Sequence, residues 1–347
     1  MSGPVSGPVS EDEILQRLRQ ALVGEVPAGT LDDLVVIRTG PSRRRSSLYF
    51  VGLAGSDTCR WVVKRPTSDS QQNDLTSPLP ALEQYRALER LHEHLHHLGD
   101  DLTTPRPVAL LPEIDAYVME YVPGPTVTDL MSARAVLHPD RLLDSVAQAG
   151  RLLQGVHALE PPTPDLVDLT ELRKLTASRA PQVLRAVGLP VRDDWFRAEV
   201  GSSTSTGSEV LLHGDYAPEN VVLSPDGVVC LEPDLAQRGW PEHDVVRFLL
   251  MLADAPLFVV GTEVAAVRRL RRRASARFLE SYYGARSRPE SLRPLMLMSA
   301  AARWSTRHTD VTRRSPRLGR TRQRLLHRHF SRLLDEVSAP ETSLLFE

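Results

Sequence analysis

The segment LLHGDYAPENVVL (211–223) joins a carboxylate, Asp215, to an amide five residues further on, Asn220. A carboxylate in such a loop can accept or orient the proton of an attacking hydroxyl, and an amide oxygen can hold a metal ion. Apolar runs on both sides, LLH before and VVL after, make the segment a short loop between two strands, which keeps both groups within reach of one another. Pro218 stiffens that loop by fixing its own φ, and His213 and Gly214 shape the turn rather than take part in chemistry. The rival reading is a surface turn that holds an aspartate by chance; the strand context on both sides argues against it.

The elements that position this loop fall into two stretches. After a short SGPV-repeat tail, EDEILQRLRQALVG (11–24) has helical spacing and ends on glycine. DLVVIRTG (33–40), SLYFVGLAG (47–55) and CRWVVKRP (59–66) read as strands. After the polar loop 68–80, LEQYRALERLHEHLHHLG (82–99) reads as a helix with Leu82, Tyr85, Leu88, Leu91 and Leu95 on one face. PVALLP and AYVMEYVPG (116–124) restore strand character. From there the chain turns helical, beginning with LLDSVAQAGRLLQGVHAL (142–159), where His157 reads as a packed core histidine. GSSTSTGSE (201–209) reads as a flexible loop, and NVVLSPDGVVC as a hairpin around its SPDG turn.

The bulk numbers agree with an enzyme-sized globular chain. Its 347 residues are 41% hydrophobic and 25% charged, with a net charge of -2, which gives no general case for nucleic-acid or membrane binding. Cys59 and Cys230 lie far apart with no metal spacing and read as small buried hydrophobes, a disulfide being the minor alternative. The N-terminus lacks the pattern of a signal peptide, and FLLMLADAPLFVV (248–260) is too short to span a bilayer. A cytoplasmic location is the expectation.

The D-x4-N spacing is that of a kinase catalytic loop. LLHGDYAPENVVL resembles the aminoglycoside phosphotransferase and choline kinase-like superfamily, whose pattern is H-G-D-x-x-x-x-N, and the likeness extends over about residues 33–335. The resemblance implies an α+β, bilobal protein-kinase-like fold, with a small β-rich N-lobe and a larger, mainly helical C-lobe. The expected divisions are a disordered tail (1–10), an N-terminal nucleotide-binding lobe with linker (11–124), and a C-terminal catalytic and acceptor-binding lobe (125–338). It also implies roles: Asp215 as catalytic base, Asn220 as magnesium ligand, Lys64 on the α/β-phosphates of ATP, and Glu83 as partner of that lysine, although Glu89 and Glu93 share its helix. The main chain of Glu120, Tyr121 and Val122 would bind adenine. Asp244 would anchor the catalytic loop by hydrogen bonds.

Two segments depart from that pattern. Where the superfamily carries a second metal-binding aspartate, CLEPDLAQRGWPEHDV (230–245) places Glu232, with Asp234 where a glutamate is usual. Either acid is a candidate second ligand to Mg²⁺, which demands tight octahedral geometry. TGPSRRRSSLYF (39–50), at the phosphate-covering loop, has one glycine; Arg43 to Arg45 are either phosphate contacts or a solvated cluster.

The C-terminal half bears on the acceptor. VRRLRRRASAR (267–277) is dense in arginine, and between Arg303 and Arg332 the one acid is Asp310. Spread around a helix axis, the first stretch reads as a solvated surface. The second, RWSTRHTDVTRRSPRLGR, is less regular, and a loop reaching a site is as good a reading as a surface. This density favours an anionic or phosphorylated partner and argues against an aminoglycoside. The expected activity is ATP- and Mg²⁺-dependent transfer of the γ-phosphate to a hydroxyl of a small molecule such as a sugar, polyol or amino alcohol. The rival from another class is a catalytically weak nucleotide-binding pseudokinase with a regulatory or scaffolding role. A protein kinase ranks below both, since D-F-G is absent.

Overall fold

Along Cys59–Pro66 side chains alternate between two faces. Trp61 and Val63 join one hydrophobic cluster and Val62 another. The computed structural model builds a sheet around this strand. It describes residues 9–40, 46–66, 79–99, 101–192, 194–196, 204–233, 235, 237–314 and 319–339. Arg43 to Arg45, most of the 68–80 loop and Asp234 therefore lie outside the described residues.

In chain order the first elements are α1 (Glu11–Ala21), α2 (Ala28–Asp32), β1 (Leu34–Thr39), β2 (Ser46–Leu53), β3 (Cys59–Pro66) and α3 (Ala81–Leu98). β4 (Leu102–Thr103), β5 (Pro107–Leu111), β6 (Ala116–Glu120), α4 (Val127–Leu130), α5 (Ala133–Leu137) and α6 (Asp140–His157) follow. Then come β7 (Thr163–Asp168), α7 (Leu169–Ala186), β8 (Thr204–Leu211), β9 (Val221–Ser224), β10 (Gly227–Cys230) and β11 (Arg238–Gly239). Five helices close the chain: α8 (Glu242–Ala253), α9 (Pro256–Val260), α10 (Ala265–Tyr283), α11 (Leu292–Arg314) and α12 (Gly319–Ser338).

The chain divides into two units, Met1–Gly124 with Ser224–Ala236, and Pro125–Leu223 with Gln237–Glu347. The first is built on an antiparallel sheet in the order β1-β2-β3-β6-β5. Ile14, Leu18 and Leu22 pack against Val51, Trp61, Val63 and Val118 on one face. Leu88 of α3 packs with Leu48, Val62, Tyr117 and Met119 on the other. β10 pairs in parallel with β4. Cys59 and Cys230 are both free thiols, the latter buried.

The second unit is mainly helical. Phe248 of α8 and Phe278 of α10 stack at 4.1 Å, and Phe278 lies parallel to Tyr282. α6 and α10 approach closely at Gly150, where an added Cβ would stand 2.6 Å from the carbonyl oxygen of Phe278. Two expectations are corrected here. Part of the expected 201–209 loop is strand: β8 runs antiparallel to β7 over 204–209 and pairs with β11 at Val210 and Leu211, so pairing with β7 holds a Ser/Thr/Gly-rich sequence extended. The irregular stretch beginning at 303 is helical as far as Arg314, as α11.

Candidate active site

The loop expected to do chemistry starts where β8 ends. Leu212 N donates to the carbonyl of Gln237 at 2.9 Å, and the chain then turns through Gly214 at φ 81°, a left-handed conformation that glycine adopts without a Cβ clash. His213 N and Gly214 N donate to the two carboxylate oxygens of Asp244, at 2.7 and 3.1 Å. Asp215 N donates to Nδ1 of His213 at 3.2 Å. Tyr216 is fully buried and donates its hydroxyl to the carbonyl of Ala149 in α6 at 2.7 Å. Every residue from 212 to 216 is therefore held by a named partner.

Asn220 comes back to Asp215 through a short 3-10 turn, Pro218–Asn220. Its Nδ2 donates to the Asp215 carbonyl at 2.8 Å and lies 3.4 Å from Oδ2 of the same residue. The other carboxylate oxygen, Oδ1, takes the guanidinium of Arg247 from α8. Arg247 is a residue of the candidate site that sequence reasoning missed. The signal was its place three residues after Asp244, since helical spacing puts i and i+3 on one face.

Behind the loop, Asp244 is part of a buried chain. Its Oδ2 is 3.0 Å from Nε2 of His157, whose Nδ1 is 2.7 Å from the hydroxyl of Tyr282. Burial works against the Asp244 carboxylate, but the hydrogen bond and charge of His157, with the contribution of His213, outweigh it and lower its pKa. Asp244 is thus an ionised anchor, and His157 is a core histidine that braces it.

The first unit holds the remaining candidates. Lys64 is 8% exposed on the α3 face of the sheet, with Nζ 6.0 Å from the ring centre of Tyr117. Tyr117 donates its hydroxyl to Oε1 of Gln84 at 3.4 Å, and Gln84 Nε2 donates to the carbonyl of Leu79 at 2.7 Å. The structure thus brings Gln84 to the ring that Lys64 faces, while Glu83 is exposed. The buried residues of α3 are Ala81, Gln84, Leu88, Leu91 and Leu95. That spacing identifies Gln84 and leaves Leu82 outside the expected stripe. Main-chain amides at Glu120 and Tyr121 already donate to the carbonyls of Arg106 and Arg60, at 2.9 and 2.8 Å. Among the described residues, Val122 is the amide of the three without a backbone bond. Glu232 is half-buried at φ 53°, and Leu235 at φ 48° also lies in the left-handed region. Such strain in non-glycine residues gathers at functional sites. Among the described residues no cluster of three or more His, Cys, Asp or Glu could hold a metal ion.

Next to Gly214, within the second unit, a cavity of about 580 Å³ opens between α8 and α11, lined in part by His243, Arg247, Met251, Arg303 and Thr306. No helix is long and apolar enough to cross a membrane among the described residues.

A carboxylate and an amide joined by a D-x4-N loop lie in an α+β chain with a sheet-rich N-terminal unit and a helical C-terminal one, the arrangement of a kinase-like fold. The sequence matches the phosphotransferase enzyme family over residues 37–295, and the chain belongs to that family. Its fold is similar to that of a glucosamine kinase solved with glucosamine, ADP and inorganic phosphate: TM-score 0.59, 19% identity, covering 94% of this chain and 85% of the other. Glucosamine kinase in crystal form B aligns with TM-score 0.54 and 17% identity over 95% of this chain and 83% of the other. A third structure gives 0.51 and 18% over 93% and 81%. No curated protein matches the sequence.

Proposed function

We propose that the protein transfers the γ-phosphoryl group of ATP to a hydroxyl of a small molecule. The observation that carries this reading is the pairing of Asp215 with Asn220 on a loop fixed at His213 and Gly214 by a buried carboxylate. The acceptor oxygen forms a bond to the γ-phosphorus while the bond to the β–γ bridging oxygen breaks. ADP departs, and the hydroxyl proton passes to the Asp215 carboxylate. Lys64 attracts the α/β-phosphates, and the main chain at Glu120 to Val122, chiefly the Val122 amide, holds adenine. Positioning and electrostatics supply most of the catalysis in phosphoryl transfer.

By donor chemistry, the residues that would hold a magnesium ion are Asn220 and either Glu232 or Asp234. Asn220 donates through Nδ2, which leaves its amide oxygen as the hard donor. Glu232 adds a carboxylate oxygen, with Asp234 the other candidate. Bound there, the ion would offset the charge of the nucleotide phosphates.

The family membership and the fold support a phosphotransferase; nucleotide, metal and acceptor rest on the residues just named. The deciding measurement is ADP release with Mg²⁺ or Mn²⁺ across sugars, polyols, amino alcohols, nucleosides and antibiotics, with Asp215→Asn as control. If no acceptor raises ADP release above the control while nucleotide still binds, the second reading takes over: a weakly active nucleotide-binding protein. Glu232, an acid one methylene longer than aspartate on a left-handed backbone, is the observation behind that alternative.

A further inference from the structure

Arg247 stands between the candidate base and the cavity beside it. Its guanidinium pairs with Oδ1 of Asp215, and the two side chains are 46% and 42% exposed. An ion pair so open to water contributes only about 0–1 kcal/mol, so an incoming ligand can exchange it. The other arginines on the cavity wall are committed elsewhere. Arg238 binds Glu160, the hydroxyl of Thr163 and the carbonyls of Pro161 and Glu209. Arg303, with Arg307, grips Asp254, whose side chain is 2% exposed. Among the described residues lining the cavity, Asp244 is the one acid, and it is buried and turned toward the loop amides and His157. The wall therefore offers exchangeable positive charge at Arg247 and no exposed acid to receive a cation.

Resting on the phosphotransferase reading above, we infer that Arg247 sets acceptor specificity by docking an anionic group, carboxylate or phosphate, carried close to the reactive hydroxyl. Without acceptor, the guanidinium closes onto Asp215. On binding, the acceptor's anion takes the guanidinium, whose planar fork matches carboxylate and phosphate oxygens. Asp215 is then left facing the hydroxyl with its carboxylate ready for the proton. A polycationic acceptor would meet Arg247 instead of a counter-charge.

The test compares matched acceptors: glycerol, glycerate and glycerol 3-phosphate, and glucose, gluconate, glucuronate and glucose 6-phosphate. Each is assayed for phosphoryl transfer with wild type, Arg247→Met and Arg247→Lys, and titrated calorimetrically into the ADP-saturated proteins. Wild type should favour an anionic member over its neutral parent. Arg247→Met should narrow the preference for that member over its neutral parent by about 10- to 100-fold, the loss of a charge-assisted hydrogen bond. Arg247→Lys should recover part of the preference. The carboxylate and phosphate arms distinguish the two anion sources. Equal KM and equal binding of anionic and neutral members, unchanged in Arg247→Met, overturn the inference, and so does failure of every anionic member to bind wild type. Loss of turnover in Asp215→Asn alongside such a result leaves the phosphotransferase reading standing. Absence of turnover throughout overturns that reading, and calorimetry then judges Arg247 by itself.

Discussion

Asp244 and Arg247, three residues apart on one face of α8, take hold of the same loop in two ways. Asp244 accepts from the amides of His213 and Gly214, and Arg247 donates to the carboxylate of Asp215. The first contact is buried and the second is half-exposed. One is fixed structure, the other exchangeable.

Replacing the base tests the chemistry most directly. Asp215→Asn keeps the size of the side chain but cannot accept the proton, and a general base contributes about 10²- to 10⁴-fold. A drop in kcat of that size, with nucleotide affinity within a few-fold of wild type, is the expected outcome of steady-state kinetics paired with nucleotide titration.

The buried anchor should show in stability. Asp244→Ala leaves two loop amides and His157 without their acceptor in a site closed to water, a loss of about 3–5 kcal/mol. Asp244→Asn retains one acceptor oxygen and should lose less. Urea unfolding of the two variants gives the comparison, and an Ala variant within about 1 kcal/mol of wild type would deny Asp244 its anchoring role.

Acidification should weaken the second unit through His329 on α12. That side chain is fully buried, and burial, with the nearby charge of Arg271, lowers its pKa to about 3. The unfolded chain takes up this proton near pH 6.5, so from about pH 6.5 down to about 3 the unfolded state binds more protons than the folded one. Stability is full above that window and falls as pH drops through it, by at most about 1.4 kcal/mol per pH unit. Thermal midpoints between about pH 8 and 5 measure the slope. His329→Leu should flatten it, and an unchanged slope would assign the acid sensitivity to other groups.

On α3 the structure separates two neighbours. Gln84 shares Tyr117 with Lys64, whereas Glu83 faces solvent. Gln84→Ala should weaken nucleotide binding several-fold, while Glu83→Ala should remain within about twofold. A larger effect at Glu83, read by ADP titration, would restore it as the partner of the lysine.

How much of this was legible depends on what each segment has for contrast. The strands around Val62 and the catalytic loop stand out because apolar alternation and turn residues coincide there, and Asp215 with Asn220 are singled out by their spacing within that context together with the resemblance it carries. Glu83 and Gln84 are harder to tell apart. Leu82 and Tyr85 offer a second apolar stripe one residue out of phase, and only packing against Tyr117 selects the stripe that includes Gln84. β8 has Ser, Thr and Gly where alternation would be sought, and that part is extended because it pairs with β7. Asp244 could be placed by the superfamily's pattern. Arg247 could not, because its meaning lies in a contact between a helix and a loop separated by 32 positions.

The loop that carries Asp215 is secured from α6 and α8, through Ala149, His157 and Asp244, whereas α11 contributes Arg303 and Thr306 to the cavity wall without touching those bonds. Securing the loop and forming the far wall of the cavity are thus assigned to different helices. A descendant of this chain could trade the cavity-facing side of α11 for another surface, and so reshape the cavity, while the bonds under Asp215 stayed untouched.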